Sequence, residues 1–286
     1  METSMNGRIA GASRLLAVMG VVVGVLGGAT ASAGAKEAIY NNIVRPLPGN
    51  FASTGFEATS TAEYGGEVQF ARTARKHPMV TVAMSSWACQ TGNWSKETCL
   101  TPKPKKAFKW PLTLNIYSVY PNDQVGEKLG SVTKMFHLPY RPSDSRVCEN
   151  PEFNDAGAWY DEATNECFHG KAFTVTFHLP AKLVLPPKAI ISVAYNTSTY
   201  GASPQGTQPC DATSAGCFYD SLNVADIEPA ENGLSLGLDP TESQFVNSNY
   251  NAMFCGSNAS LNTFGPTGSC PSFWEGDQPA FEVQAG

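Results

Sequence analysis

Leu112-Thr113-Leu114-Asn115-Ile116-Tyr117-Ser118-Val119-Tyr120 is the stretch that decides the fold class. Apolar and polar residues alternate with a period of two, the pattern of a half-buried strand. Side chains alternate across a strand, so Leu112, Leu114 and Ile116 share one face. Val80-Thr81-Val82-Ala83-Met84-Ser85-Ser86-Trp87 carries the same period and is rich in β-branched residues. Shorter runs of this kind occupy 67–70, 131–138, 172–179, 189–195, 221–225 and 281–283. No apolar stripe with a 3.6-residue period stands out beyond the first 33 residues. Twenty prolines and 26 glycines supply the turns that many short strands need. The expected fold is all-β: a two-sheet antiparallel β-sandwich of jelly-roll type with disulfide-stapled loops.

Residues 1–33 read as a signal peptide. Arg8 and Arg14 precede an apolar run at 15–26, and Ala31-Ser32-Ala33 offers small residues to a signal peptidase. The run is short of the roughly 20 residues that span a bilayer. The expected product is secreted, cleaved near Ala33, with no transmembrane anchor in the mature chain; the rival is a retained N-terminal anchor. Residues 34–54 are polar with Pro46 and Pro48, which suits an extended lead-in. No Ser/Pro/Gly tract, charge block or low-complexity repeat divides 55–286, expected as a single β-sandwich domain.

All eight cysteines follow the leader: Cys89, Cys99, Cys148, Cys167, Cys210, Cys217, Cys255 and Cys270. An even count in an exported chain reads as pairing. Nearest-neighbour pairs close four short, polar, turn-rich loops, and this local pattern is the expected connectivity. No C-x2-C spacing favours zinc. His169, two residues after Cys167, reads as a loop histidine, and no metal or other cofactor is expected.

The net charge of −6 disfavours nucleic-acid binding, which rests on neutralising phosphates with Lys and Arg. The cluster Lys103, Lys105, Lys106 and Lys109, interleaved with prolines, reads as a solvated loop. Phe136-His137-Leu138-Pro139 recurs as Phe177-His178-Leu179-Pro180, two strand ends closed by a residue that cannot donate to a ladder. Signatures of nucleophilic, zinc-dependent or nucleotide chemistry are missing. Asp161, Glu162 and Glu166, or Asp226 and Glu228, are the candidates for the carboxylate pair a glycosidase needs. Large aromatics in turn-rich segments form the other candidate set: Trp94, Trp159, Tyr160 and Trp274 as ligand-binding residues, with Trp159-Tyr160 the first patch to test. Rings on rigid loops stack on sugars or pack into a partner.

Pro46-Leu47-Pro48-Gly49-Asn50, Gly55-Phe56-Glu57-Ala58-Thr59-Ser60-Thr61, Met84-Ser85-Ser86-Trp87-Ala88-Cys89, Tyr140-Arg141-Pro142-Ser143, Tyr195-Asn196-Thr197 and Tyr219-Asp220-Ser221-Leu222-Asn223-Val224 occur together in this chain. Through them it resembles exported actinobacterial-type β-sandwich proteins of unassigned function. The resemblance implies a secreted bacterial protein and carries no catalytic residues. The leading functional expectation is a non-enzymatic protein whose loop aromatics bind an extracellular polysaccharide or a surface protein. A glycan hydrolase using loop carboxylates and a purely structural or adhesive surface protein are the alternatives.

Overall fold

The computed structural model describes residues 36–103, 105–210, 216–227, 235–239, 244–250, 254, 264–266 and 277–286. The leader, Cys255, Cys270, Trp274 and Glu228 lie outside the described residues. In chain order the strands are β1 (Glu37–Asn41), β2 (Ser53–Gly55), β3 (Thr61–Gln69), β4 (Met79–Ser86), β5 (Ala107–Tyr120), β6 (Gln124–Pro139), β7 (Trp159–Asp161), β8 (Glu166–Phe168), β9 (Lys171–His178), β10 (Lys188–Ala194), β11 (Leu222–Ile227), β12 (Gln244–Ser248), β13 (Gly265–Pro266), β14 (Gln278–Pro279) and β15 (Phe281–Ala285). Two short 3-10 turns, Trp94–Lys96 and Phe218–Ser221, are the helical elements among the described residues. The chain is all-β, as the alternating pattern predicts, and every strand pair is antiparallel. None of the described helices is long and apolar enough to cross a membrane.

One sheet runs β1-β15-β4-β11-β14, with β2 also on β11 and β9 also on β4; the other runs β13-β12-β3-β10-β5-β6. Both sheets contribute to one apolar core. Val80, Val82 and Met84 of β4 belong to it with Leu112, Leu114 and Ile116 of β5. Each such side chain stabilises the fold by about 1.5–3 kcal/mol through burial. The repeated Phe-His-Leu-Pro segments meet at this core. Phe136 lies near the end of β6 and Phe177 near the end of β9, and their rings make an edge contact at 4.9 Å. Leu138 and Leu179 are buried beside them, while His137 and His178 face solvent.

Within the segment expected as a lead-in, residues 37–41 and 53–55 form strands that join the seven-stranded sheet. β1 pairs with β15 and β2 pairs with β11. Between them Ile43 and Phe51 pack on Ala83, Ala225 and Ala280, small side chains on the side of the seven-stranded sheet opposite the core. Two prolines and few apolar residues hide this from a periodicity reading, because only every few residues touches the sheet.

Three staples follow the nearest-neighbour pattern: Cys89–Cys99, Cys148–Cys167 and Cys210–Cys217. The fourth expected pair lies outside the described residues.

Candidate functional site

β5 organises the site with the face that its core residues leave free. Thr113, Asn115 and Tyr117 point away from the core. Register sets Asn115 opposite Ser192 of β10 and Ser131 of β6, and Thr113 opposite Ala194 and Thr133. Ala194 in turn faces Glu63 of β3, and Glu63 faces Asn247 of β12. One row across five strands therefore reads Asn247, Glu63, Ala194, Thr113, Thr133. The adjacent row reads Phe245, Gly65, Ser192, Asn115, Ser131.

Glu63 is the centre of this face, only 8% exposed. Its Oε1 accepts from Asn115 Nδ2 at 2.8 Å, the Tyr117 hydroxyl at 2.8 Å and Ser192 Oγ at 2.5 Å. Ser131 Oγ donates to Asn115 Oδ1 at 2.7 Å and so turns the amide N–H toward Glu63. A buried carboxylate costs several kcal/mol unless hydrogen-bonded, and three donors on one oxygen offset that cost. Among the described residues no donor is bonded to the other oxygen, Oε2.

The small residues make the space. Ala194 rises little above the sheet. A Cβ on Gly65 would stand 2.5 Å from the Ile191 carbonyl and 2.7 Å from Ser192 Cβ, so a larger residue would displace the serine that holds Glu63. The result is a groove of about 460 Å³ floored by Glu63, Thr113, Asn115, Ser131 and Thr133. Small-molecule sites commonly span about 300–1,000 Å³. Lys128 stands at one end, its ammonium 5.2 Å from the centre of the Tyr117 ring.

Asn196 and Gly201 form part of the rim. Gly201 has φ +111°, a conformation side chains rarely tolerate. Beneath the rim Ser198 bonds Asp220 through its backbone N–H at 2.7 Å and its hydroxyl at 2.6 Å, and Thr199 Oγ1 bonds Glu57 at 2.6 Å. Burial pushes the Asp220 carboxyl above the usual carboxylate range, against the pull of the Ser198 bonds. The rim is therefore tied to the body by side-chain bonds.

The stapled lobe holds the residues singled out from sequence. Trp94 is partly exposed and meets Trp87 edge-on at 4.6 Å. Trp159 is 6% exposed; its indole N–H donates to the Gly170 carbonyl at 2.6 Å and its ring packs against Phe168 at 5.4 Å. That ring is committed to packing, with the Lys171 ammonium 5.3 Å above it. Tyr160 is partly exposed, edge-on to Phe153, and donates to Asn165 Oδ1 at 2.6 Å. His169 stacks on Trp87 and its Nε2 lies 2.8 Å from Asp155 Oδ1, so the loop pins it in place. Trp274 lies outside the described residues.

The lobe is built around Arg141, which is fully buried. Its guanidinium donates to Asp144 Oδ1 and the Gly157 carbonyl, each at 2.8 Å. Asp144 also accepts from the Cys99 backbone N–H at 2.7 Å. One ion pair thus joins the Cys89–Cys99 loop to the Cys148–Cys167 loop. Burial lowers the guanidinium's pKa to about 10 despite Asp144 beside it.

Asp161, Glu162, Glu166 and Asp226 are not among the residues that line the groove. Asp161 and Glu166 face each other across the β7–β8 hairpin. Asp226 is buried on the core side of β11 beside Thr54 and Tyr64. Among the described residues Glu63 is the one carboxylate lining the groove, and no second carboxylate pairs with it there. Among the described residues no group of three or more His, Cys, Asp or Glu has the arrangement to hold a metal ion.

Sequence inspection missed Glu63, Asn115, Tyr117, Ser131 and Ser192. Its one available signal was the polar half of the β5 alternation. In comparisons with protein-family models, curated proteins and solved structures, the chain finds no match in any of the three.

Proposed function

We propose that this chain is an exported, non-enzymatic carbohydrate-binding protein whose ligand lies in the groove on the six-stranded sheet. One observation carries this: Glu63 sits at the groove floor with one oxygen saturated by Asn115, Tyr117 and Ser192 and the other bonded by no donor among the described residues. A preorganised acceptor among hydroxyl and amide side chains suits a polyhydroxylated ligand, because each sugar hydroxyl must replace its lost water bonds. The proposed site lies on the sheet face and not on the loop aromatics; Trp94 and Tyr160 are partly exposed on the stapled lobe. Export is supported by the leader at 1–33 and by three disulfides, which persist in oxidising compartments. A jelly-roll sandwich belongs to the same proposal, supported by the core that both sheets share.

The test is a glycan array on the secreted protein beside its Ala194→Phe variant. Ala194 faces the groove, so a phenyl ring there fills the hollow without entering the core. Binding to at least one glycan, lost in the variant while circular dichroism stays unchanged, is the expected result. Equal binding by both proteins would remove the groove as the site.

A further inference from the structure

We propose that the saccharide taken by this groove is acidic, with ring hydroxyls donating to Glu63 and a carboxylate seated on Lys128. The proposal rests on the carbohydrate reading above and names the ligand class for the same site. Among the described residues Glu63 and Lys128 are the two charged residues that line the groove. They stand on β3 and β6, with β10 and β5 between them. Their backbones are three strand spacings apart, about 14 Å across the sheet, and Tyr117 bridges the interval, with its hydroxyl on Glu63 and its ring beneath the Lys128 ammonium. The remaining lining between them is neutral and rich in hydroxyl and amide groups.

The two charges are differently engaged. Glu63 is bonded by three neutral donors, so its remaining oxygen is satisfied by a hydroxyl. Lys128 is exposed and forms no ion pair among the described residues; its ammonium rests over the Tyr117 ring. That ring is itself fixed, because its hydroxyl is bonded to Glu63. Tyr117 therefore spans from the acceptor end of the groove toward the cationic end and keeps the ammonium over the groove. A neutral saccharide would leave the cation facing water. A cationic saccharide would meet Lys128 as a like charge. A uronic acid matches both ends, its ring hydroxyls on Glu63 and its carboxylate on Lys128, with the Tyr117 ring between the two charges.

Isothermal titration of the secreted protein with uronate polymers (polygalacturonate, alginate and hyaluronan), each against its methyl ester, tests this. The ester removes the charge and keeps the ring hydroxyls. The expected result is about fivefold tighter binding of one free acid than of its ester, the scale of one partly exposed ion pair. The preference should vanish near 1 M salt, where the screening length is about 3 Å. Lys128→Gln should equalise acid and ester at the ester's affinity, and Lys128→Arg should keep the preference. Equal binding of acid and ester by the unmodified protein would overturn the acidic assignment and leave the carbohydrate proposal standing. So would binding to a neutral glycan alone, lost in Ala194→Phe. Binding to no glycan at all would overturn both.

Discussion

Asp226→Asn should abolish a large pH dependence of stability. Asp226 lies on the core side of β11, with Oδ2 accepting from Thr54 Oγ1 at 2.8 Å. Its Oδ1 is buried and, among the described residues, meets no donor within hydrogen-bond geometry, although the Tyr64 hydroxyl lies near enough to act on the charge. Burial is the main reason its pKa is pushed up to about 8; the Thr54 and Tyr64 hydroxyls pull it down, and the Asp277 charge pushes it up again. An unfolded aspartate ionises near pH 3.9. Below that value both states hold the proton and Asp226 carries no penalty. As pH rises from about 4 to about 8, the unfolded chain releases its proton while the folded protein keeps it. Stability therefore falls across this window by about 1.4 kcal/mol per pH unit, and flattens above it.

Between pH 5 and pH 7 the natural protein should lose about 2.7 kcal/mol relative to the variant, whose amide does not titrate. Asn keeps an acceptor for Thr54 and has nearly the same volume. For a domain of this size that difference corresponds to a melting-temperature divergence of about 5–10 °C. Urea titrations of both proteins at pH 5, 6 and 7, with disulfides intact, measure it. Subtracting the variant's curve cancels every other titrating group. Parallel pH profiles for the two proteins would show that Asp226 is ionised in the fold, and would refute a neutral buried acid.

Arg141→Met should destabilise the protein by about 3–5 kcal/mol in chemical denaturation, because Asp144 would be left half-buried without its cation. The same change should open residues 148–167 to limited proteolysis, since the guanidinium also holds the Gly157 carbonyl. Replacing Cys148 and Cys167 together with Ala should cost about 3 kcal/mol, measured the same way, by freeing a loop with a sequence separation of 19. That double variant should still bind glycan, because the groove is built from strands of the six-stranded sheet; lost binding with an intact fold would place the ligand on the stapled lobe.

Much of the strand inventory was legible. The runs at 80–87, 112–120, 131–138 and 172–179 all fall within or overlap β4, β5, β6 and β9, because strong period-two alternation reports burial on one face. β1 and β2 were illegible, since the segment around them touches the sheet through isolated residues such as Ile43 and Phe51. The hairpin β7–β8 escapes a periodicity reading because its three-residue strands are too short to show a period. Trp159 looked like a surface ring in a polar segment, yet the carbonyl of Gly170 and the ring of Phe168 bury it.

By itself the sequence determined the fold class, the local disulfide staples and which face of β5 turns to the core. These are properties of short windows: alternation along one strand, and chain closure over 7 to 19 residues. Only the tertiary structure decided the site. Glu63 lies 52 residues from Asn115, 54 from Tyr117 and 129 from Ser192. Those residues meet because β3, β10 and β5 are neighbours in space and strangers in sequence, in a register set by the core on the opposite face. Packing the apolar half of each strand thus aligned the polar halves, and that alignment made the groove.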